Sequence, residues 1–148
     1  MAKEVFLKEQ ADTLALGNKL ARGMKAGSIV LLYGDLGAGK TCFVRGVASF
    51  FSQDAAESVS SPTFALMNIY EAGIPIYHFD MYRLGDGDAL DAGFDEYIFG
   101  GGISLIEWPE AALDMLDGES YSVVSLEYAG EDGESRKAWV SGALEEYV

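Results

Sequence analysis

The sequence predicts an α/β sandwich with a mixed, partly parallel central sheet flanked by helices. Ser28–Tyr33 is a continuous apolar run, typical of a strand buried on both faces. A glycine-rich loop and a helical pattern over Lys40–Phe51 follow this strand directly. The second half of the chain is rich in short apolar segments of strand length. An early strand–helix–strand order followed by further strands favours a mixed sheet over an all-parallel one.

Length and composition restrict the class of protein. The chain has 148 residues, which predicts a single domain spanning residues 1–148, and 49% are hydrophobic, which excludes a disordered chain. No apolar run approaches the ~20 residues that cross a bilayer. The first ten residues, MAKEVFLKEQ, carry charges where a signal peptide is apolar. We therefore expect a cytoplasmic protein without membrane association; the single Cys42 fits, since it cannot form an internal disulfide.

The first half of the chain alternates between strands and helices. Leucine and methionine recur every four residues between Gln10 and Met24, as in a helix with one apolar face. The elements expected here are a strand, a helix, a strand, a helix and a polar loop, in the order Val5–Leu7, Gln10–Met24, Ser28–Tyr33, Lys40–Phe51 and Gln53–Ser61.

The second half is predicted to be strand-rich. The short connection Ala72–Pro75 indicates a hairpin, so the two strands around it should be antiparallel. Asp86–Gly102 has room for short helices, and Pro109 stands where a helix would begin. The strands expected here are Phe64–Tyr70, Ile76–Asp80, Ile103–Glu107, Tyr121–Tyr128 and Ala138–Ser141.

The loop Gly34-Asp-Leu-Gly-Ala-Gly-Lys-Thr41 matches the pattern G-x-x-x-x-G-K-[ST] in full. Its glycines let successive backbone N–H groups point at phosphate oxygens, and the helix that follows favours negative charge at its start. Lys40 adds a cation for the β- and γ-phosphates, and Thr41 offers a hydroxyl to Mg²⁺. The fold is therefore expected to be a P-loop NTPase-like sandwich that binds nucleotide phosphates and Mg²⁺.

Two acids stand at the ends of predicted strands. Asp80 closes one strand and Glu107 another, and ligands of open α/β sheets bind at the carboxyl ends of strands. Glu107 follows the cleaner apolar run and is the better candidate for Mg²⁺. Other interpretations stay open: Glu107 could cap the next helix, and Asp80 could pair with Arg83. His78, the only histidine, is interpreted as a packed or hydrogen-bonded strand residue.

Several segments together resemble one family. They are the glycine loop, Ser61-Pro-Thr-Phe64, His78-Phe-Asp-Met-Tyr-Arg-Leu84 and Ile106-Glu-Trp-Pro109. In this order and spacing they resemble TsaE (formerly YjeE), the bacterial ATPase of tRNA threonylcarbamoyladenosine synthesis. The block around His78 is far more specific than a glycine loop alone.

The resemblance implies roles for individual residues. Those expected to wrap the phosphates are Gly37, Ala38, Gly39, Lys40, Thr41 and Cys42. Thr41 and Glu107 would hold Mg²⁺, while Asp80 would assist hydrolysis together with Lys40. Thr63 would sense the γ-phosphate as a switch.

Two further positions are implied to lie near the nucleotide, and two depart from the family pattern. Arg136 matches an arginine near the family's carboxyl terminus that contacts nucleotide, and Gln10 would lie near the adenine. Cys42 stands where a second threonine is common, which could remove a phosphate contact. Met81 replaces a usual leucine and should change only packing.

The resemblance also implies partners. The family works with TsaD and TsaB, which transfer threonylcarbamoyl to adenosine 37 of tRNAs reading ANN codons. The net charge of this chain is -14, the wrong sign for direct binding to nucleic acid, so tRNA is expected to be involved only indirectly.

Three alternatives remain at this point. A small-molecule kinase also uses this loop, but it usually needs an arginine-rich lid, and the arginines of this chain do not cluster. A GTPase would carry N-K-x-D, whereas Asn18-Lys-Leu-Ala21 lacks the aspartate. A nucleotide-gated adaptor with incidental hydrolysis is the third.

Overall fold

A computed structural model describes residues 2–148. Its strands are β1 (Lys3–Leu7), β2 (Ile29–Tyr33), β3 (Met67–Glu71), β4 (Pro75–Asp80), β5 (Ile103–Glu107), β6 (Ser122–Tyr128) and β7 (Arg136–Ser141). Its α-helices are α1 (Gln10–Ala21), α2 (Lys40–Phe51), α3 (Gln53–Glu57), α4 (Asp88–Asp91) and α5 (Asp95–Ile98), and 3-10 turns cover Pro109–Ala112 and Ala143–Tyr147.

The strands form one seven-stranded sheet in the order β1-β7-β6-β2-β5-β4-β3. The central neighbours β6, β2, β5 and β4 run parallel, whereas β1, β7 and β3 pair antiparallel with their neighbours. This confirms the predicted mixed sheet, including the β3–β4 hairpin. Because the parallel strands share one direction, the carboxyl ends of β2, β4 and β5 meet at the same edge.

Helices α1 and α2 cross closely on one face of the sheet. A Cβ at Gly46 of α2 would lie 2.2 Å from the carbonyl oxygen of Leu14 in α1, so only glycine fits at this crossing. Buried residues of these helices, such as Phe43 and Leu20, pack with buried strand residues in the larger of two hydrophobic clusters. This close contact between α1 and α2 helps to hold α2, which begins at the glycine loop, in its place beside the sheet.

Most predicted bounds hold to within two residues, and three segments differ by more. Helix α1 ends at Ala21 rather than Met24, because the backbone N–H of Gly23 turns back to the carbonyl of Leu20. The predicted loop after α2 contains the short helix α3, which Ser52 caps by accepting from the N–H of Ala55.

Strand β3 begins later than predicted. It starts at Met67 instead of Phe64, because Leu66 has a positive φ of 69° and its N–H donates to the carbonyl of Pro62. Pro109 does begin a helical segment, but this is a single 3-10 turn. Within residues 2–148, no helix is long and apolar enough to cross a bilayer.

Candidate nucleotide-binding site

The phosphate loop (Gly34–Thr41) joins the end of β2 to the start of α2. Gly37 and Gly39 have φ values of 82° and 109°, in the left-handed region that glycine tolerates best. A side chain at Gly37 would also meet the Tyr128 hydroxyl at 2.7 Å. The first N–H groups of α2 have no intrahelical acceptor, so this end of the helix can bind an anion.

Two residues brace the phosphate loop. Arg136 donates from Nη2 to the Gly37 carbonyl at 3.0 Å and from Nε to the Ala38 carbonyl at 3.2 Å. Tyr128 donates its hydroxyl to the Gly37 carbonyl at 3.2 Å, and the Arg136 guanidinium lies 4.0 Å from the centre of the Tyr128 ring. Because this brace (Arg136 and Tyr128) binds carbonyl oxygens, it leaves the loop's N–H groups for a ligand.

A cavity of about 290 Å³ lies beside the phosphate loop. It brings together three residues expected near the nucleotide, Gln10, Cys42 and Arg136. Thr13 and Glu134 also line it and were not predicted. Thr13 lies one helical turn after Gln10, a spacing that could have revealed it, whereas Glu134 lies in a turn whose sequence carries no such signal.

Cys42 shows no sign of a nucleophile. Burial raises the pKa of its thiol, which keeps it protonated, and its Sγ lies 3.5 Å from the Gln10 carbonyl oxygen. A larger cavity of about 730 Å³ lies at the opposite end of β2, near Ser28 and Ser122, and none of the predicted site residues lines it.

Lys40 is folded against the ends of the strands. It is only 6% exposed, and its Nζ donates to the Gly34 carbonyl. The same Nζ lies 3.8 Å from Glu107 Oε1 and 4.1 Å from the centre of the Trp108 ring. Burial lowers the pKa of Lys40, while nearby carboxylates, Glu107 first among them, raise it. A phosphate bound to the loop would compete with these partners for the ammonium group.

The two predicted acids lie side by side. Asp80 and Glu107 are paired in register on β4 and β5, and both are buried. Glu107 Oε2 is hydrogen bonded to Nε2 of His78, so its carboxylate does not cap the following turn. Asp80 accepts from the Thr63 hydroxyl at 3.2 Å through Oδ2 and from the Tyr82 N–H at 3.0 Å through Oδ1.

The proposed pairing of Asp80 with Arg83 is wrong. Arg83 donates instead to the carbonyls of Thr63 at 2.7 Å and Phe64 at 3.3 Å, and no ion pair joins it to Asp80 within residues 2–148. His78 is fully buried and hydrogen bonded on its strand, as interpreted from the sequence.

The Thr63 loop (Ser60–Leu66) closes the other side of the site. Besides Asp80, the Thr63 hydroxyl contacts the Ser61 hydroxyl at 2.7 Å. Phe64 is 88% exposed, and Leu66 has a positive φ. Trp108, beside Glu107, also has a positive φ, of 50°. Such backbone strain in residues other than glycine is concentrated here, as is common at functional sites.

The donor set fits Mg²⁺ bound together with phosphate. Thr41, Asp80 and Glu107 offer oxygen atoms, which Mg²⁺ prefers. Within residues 2–148, no group of three or more His, Cys, Asp or Glu side chains could hold a metal alone. In proteins Mg²⁺ usually takes one or two carboxylates and completes its shell with phosphate and water.

The fold and the site define a P-loop nucleotide-binding protein. A strand, a glycine loop with lysine and threonine, and a helix lie beside two acids on neighbouring parallel strands. A family model described as "Threonylcarbamoyl adenosine biosynthesis protein TsaE" matches residues 7–138, and the chain belongs to this family.

Individual relatives agree with this assignment. A protein of Treponema pallidum named "tRNA threonylcarbamoyladenosine biosynthesis protein TsaE" is 42% identical over 106 residues, covering 71% of this chain and 77% of the relative. The protein of the same name from Bacillus subtilis is 38% identical over 122 residues, covering 82% of this chain and 75% of the relative. A crystal structure of Bacillus subtilis YdiB superposes with a TM-score of 0.74 at 28% identity, covering 99% of this chain and 90% of that chain.

Proposed function

We propose that this chain, as a single domain over residues 1–148, binds and hydrolyses ATP with Mg²⁺. The observation that carries the proposal is the meeting of the phosphate loop with Asp80 and Glu107 at one edge of the sheet. The relatives are named for tRNA threonylcarbamoyladenosine biosynthesis, which supports a role of the proposed hydrolysis in that process. This pathway would modify adenosine 37 in tRNAs that read ANN codons.

The nucleotide would lie across the phosphate loop. Its base would occupy the cavity lined by Gln10, Cys42 and Arg136. Its phosphates would bind the N–H groups from Gly37 to Cys42 and the start of α2. The γ-phosphate would then lie near Lys40 and Glu107, because these two side chains already lie together at the strand ends.

Hydrolysis would proceed by attack of water on the γ-phosphorus, with the β-phosphate oxygen leaving. Asp80 is placed to orient that water, and Lys40 to balance the charge on the leaving phosphate. The Thr63 hydroxyl, which bonds Asp80 here, would turn to the γ-phosphate when ATP is present. Mg²⁺, when bound by Thr41 and Glu107, supplies positive charge to the β- and γ-oxygens.

The partners proposed are the TsaD and TsaB proteins, with tRNA reached only through them in the cytoplasm. Direct RNA binding depends on lysine and arginine that replace counterions on phosphates. This chain has 24 acidic against 10 basic residues. The same charge favours a protein partner with a basic surface, whose association should weaken as salt rises.

Phosphate release is the experiment that tests the function. We expect slow ATP hydrolysis by the chain alone and faster hydrolysis when TsaD and TsaB are added. Asp80→Asn should lower the rate of hydrolysis about 10²–10⁴-fold and so prevent repeated rounds of tRNA modification. Normal modification by a hydrolysis-dead Asp80→Asn variant would favour a nucleotide-gated adaptor. Transfer of the γ-phosphate to a small molecule would favour a kinase.

A fluorescence titration with tRNA tests the indirect role. We expect no measurable binding of tRNA to the isolated chain at physiological salt, because its charge repels the phosphate backbone. Micromolar affinity would contradict the indirect role and indicate that this protein handles RNA directly.

A further inference from the structure

A buried chain of hydrogen bonds connects Glu107 to the base of the Thr63 loop. His78 is fully buried, with Nε2 bonded to Glu107 Oε2 and Nδ1 lying 3.0 Å from the Tyr70 hydroxyl. The Tyr70 oxygen accepts from the Ser60 N–H at 3.2 Å. The proposed phosphate, base and hydrolysis roles account for neither His78 nor Tyr70.

Counting hydrogens gives this chain a direction. An ionised Glu107 carboxylate only accepts, so Nε2 of His78 must carry the proton. In a neutral imidazole Nδ1 then accepts, and its donor is the Tyr70 hydroxyl. Burial raises the pKa of Tyr70, so this hydroxyl keeps its proton. The Ser60 carbonyl, 2.9 Å from the Tyr70 hydroxyl, is a second acceptor for the same proton. Because the Asn68 amide also donates to this carbonyl, at 3.1 Å, the carbonyl stays hydrogen bonded when Tyr70 donates to His78.

The bond to His78 leaves Glu107 with one oxygen for a ligand. Oε2 is taken by His78, while Oε1 lies 3.8 Å from Lys40 Nζ. When Lys40 turns to a phosphate, Oε1 is the atom that remains at the end of the strand. Partners of this kind orient metal-binding side chains, and their loss weakens metal binding.

We propose that His78 is a positioning residue for the Mg²⁺ carboxylate. Tyr70 holds the imidazole in its Nε2–H form, and the imidazole fixes Glu107 with Oε1 facing the metal. Tyr70 also contacts Ser60, so the carboxylate and the Thr63 loop share one buried support. The metal part of this inference rests on the proposed function, whereas the hydrogen-bond chain does not.

The single histidine makes the first test free of assignment problems. Nitrogen-15 NMR of histidine-labelled protein, without nucleotide, reports which ring nitrogen carries the proton. We expect a protonated Nε2 and an accepting Nδ1. Tyr70→Phe should shift the Nδ1 resonance of His78. Tyr77→Phe, on the same strand as His78, should not. A proton on Nδ1, whether or not Nε2 also carries one, would overturn the chain.

The second test measures metal affinity without turnover. Electron paramagnetic resonance of Mn²⁺ with ADP gives the metal affinity, and calorimetry with ADP alone gives nucleotide affinity. His78→Leu should weaken Mn²⁺ binding about 10–100-fold, and His78→Gln, whose amide can donate in place of Nε2, should restore most of it. Metal-free ADP affinity should stay unchanged in both, which a general loss of structure would not allow.

The outcomes separate this inference from the proposed function. Equal Mn²⁺ affinity in the wild type and His78→Leu would overturn the positioning role while leaving the nucleotide site intact. If the wild type bound no Mn²⁺ with ADP, the proposed Mg²⁺ site would fail, and the positioning role with it, while NMR still reported the hydrogen-bond chain. If His78→Leu did not fold, His78→Gln and Tyr70→Phe would carry the test. Weakened Mn²⁺ binding by Tyr70→Phe alone would support the positioning role of His78. Wild-type Mn²⁺ binding by both variants would overturn it.

Discussion

The two sides of the candidate site are built differently. On one side, Arg136 and Tyr128 are cross-strand neighbours on β7 and β6, and both bind carbonyls of the phosphate loop. On the other side, the Thr63 loop lies outside the sheet, and side chains hold it at its base through Tyr70 and at Thr63 through Asp80. Residues on strands are held more firmly than residues on loops. The first side therefore suits constant binding, and the second suits a response to the γ-phosphate.

The largest effect should come from removing the negative charge of Asp80, which lies between the Thr63 loop and the sheet. Asp80→Asn should lower the rate of ATP hydrolysis about 10²–10⁴-fold, the range for loss of a group that assists proton transfer, while ATP still binds. Phosphate release and calorimetry measure the two quantities. Asp86→Asn, an exposed acid, is the matched control. An unchanged rate in Asp80→Asn would remove this acid from the reaction.

Removing the Lys40 ammonium group from the phosphate loop should abolish most nucleotide binding. A ligand at a hundred times its Kd stabilises a protein by about 2.7 kcal/mol, which for this size raises Tm by roughly 5–10 °C. Lys40→Ala should lose most of this shift with ATP and Mg²⁺, because Lys40 is the loop's only ammonium group. Lys137→Ala, on the surface, should keep it. A full shift in Lys40→Ala would contradict the site.

Breaking the brace should weaken ATP and ADP binding alike. Arg136→Ala removes charged hydrogen bonds to Gly37 and Ala38, so the free energy of unfolding should fall by about 1–3 kcal/mol. Tyr128→Phe removes one neutral bond and should cost about 0.5–1.5 kcal/mol. Urea denaturation gives the stabilities and calorimetry the affinities. If these variants lost ATP binding but kept ADP binding, Arg136 and Tyr128 would respond to the γ-phosphate, which contradicts the role given to the Thr63 loop.

The Thr63 loop should show the opposite selectivity. Thr63→Ala removes one hydroxyl, so ATP affinity should fall by about 0.5–1.5 kcal/mol, while ADP affinity stays unchanged. Thr63→Ser keeps the hydroxyl and should behave as the wild type. Calorimetry with both nucleotides in each variant decides this. Equal losses for ATP and ADP would show that Thr63 does not sense the γ-phosphate.

The smallest effect concerns pH at the β6–β7 turn. Hydrogen bonds from Ser135 and Glu134 hold the pKa of Asp132 at about 2, below its usual 3.8. Because the folded pKa is the lower one, the stabilisation is present above pH 3.8 and is lost as pH falls towards 2. Denaturation of wild type and Asp132→Asn should therefore converge over this range. A constant difference between them would contradict the role of Asp132.

Local sequence signals predicted the core of the site. The glycine loop is contiguous, so its conformation and the start of α2 follow from a short motif. The closeness of Asp80 and Glu107 followed from a general property of parallel strands, whose carboxyl ends share one edge. The likeness to the TsaE family, inferred from four short segments, is confirmed by the family model.

Long-range pairing explains what the sequence did not reveal. Tyr128 meets the phosphate loop because β6 pairs with β2 in a register that no local pattern specifies. The bond between His78 and Glu107 likewise depends on the alignment of β4 with β5. The turn at Leu66 was interpreted as strand, because a positive φ in leucine carries no sequence signal.

Hydrogen–deuterium exchange in two nucleotide states tests the central contrast most directly. One sample would carry ADP with Mg²⁺ and the other a non-hydrolysable ATP analogue with Mg²⁺. We predict that residues 60–66 gain protection with the ATP analogue only, whereas residues 37–41 and 128–136 are protected equally in both states. Equal protection of residues 60–66 in both states, or a difference confined to residues 128–136, would contradict the account.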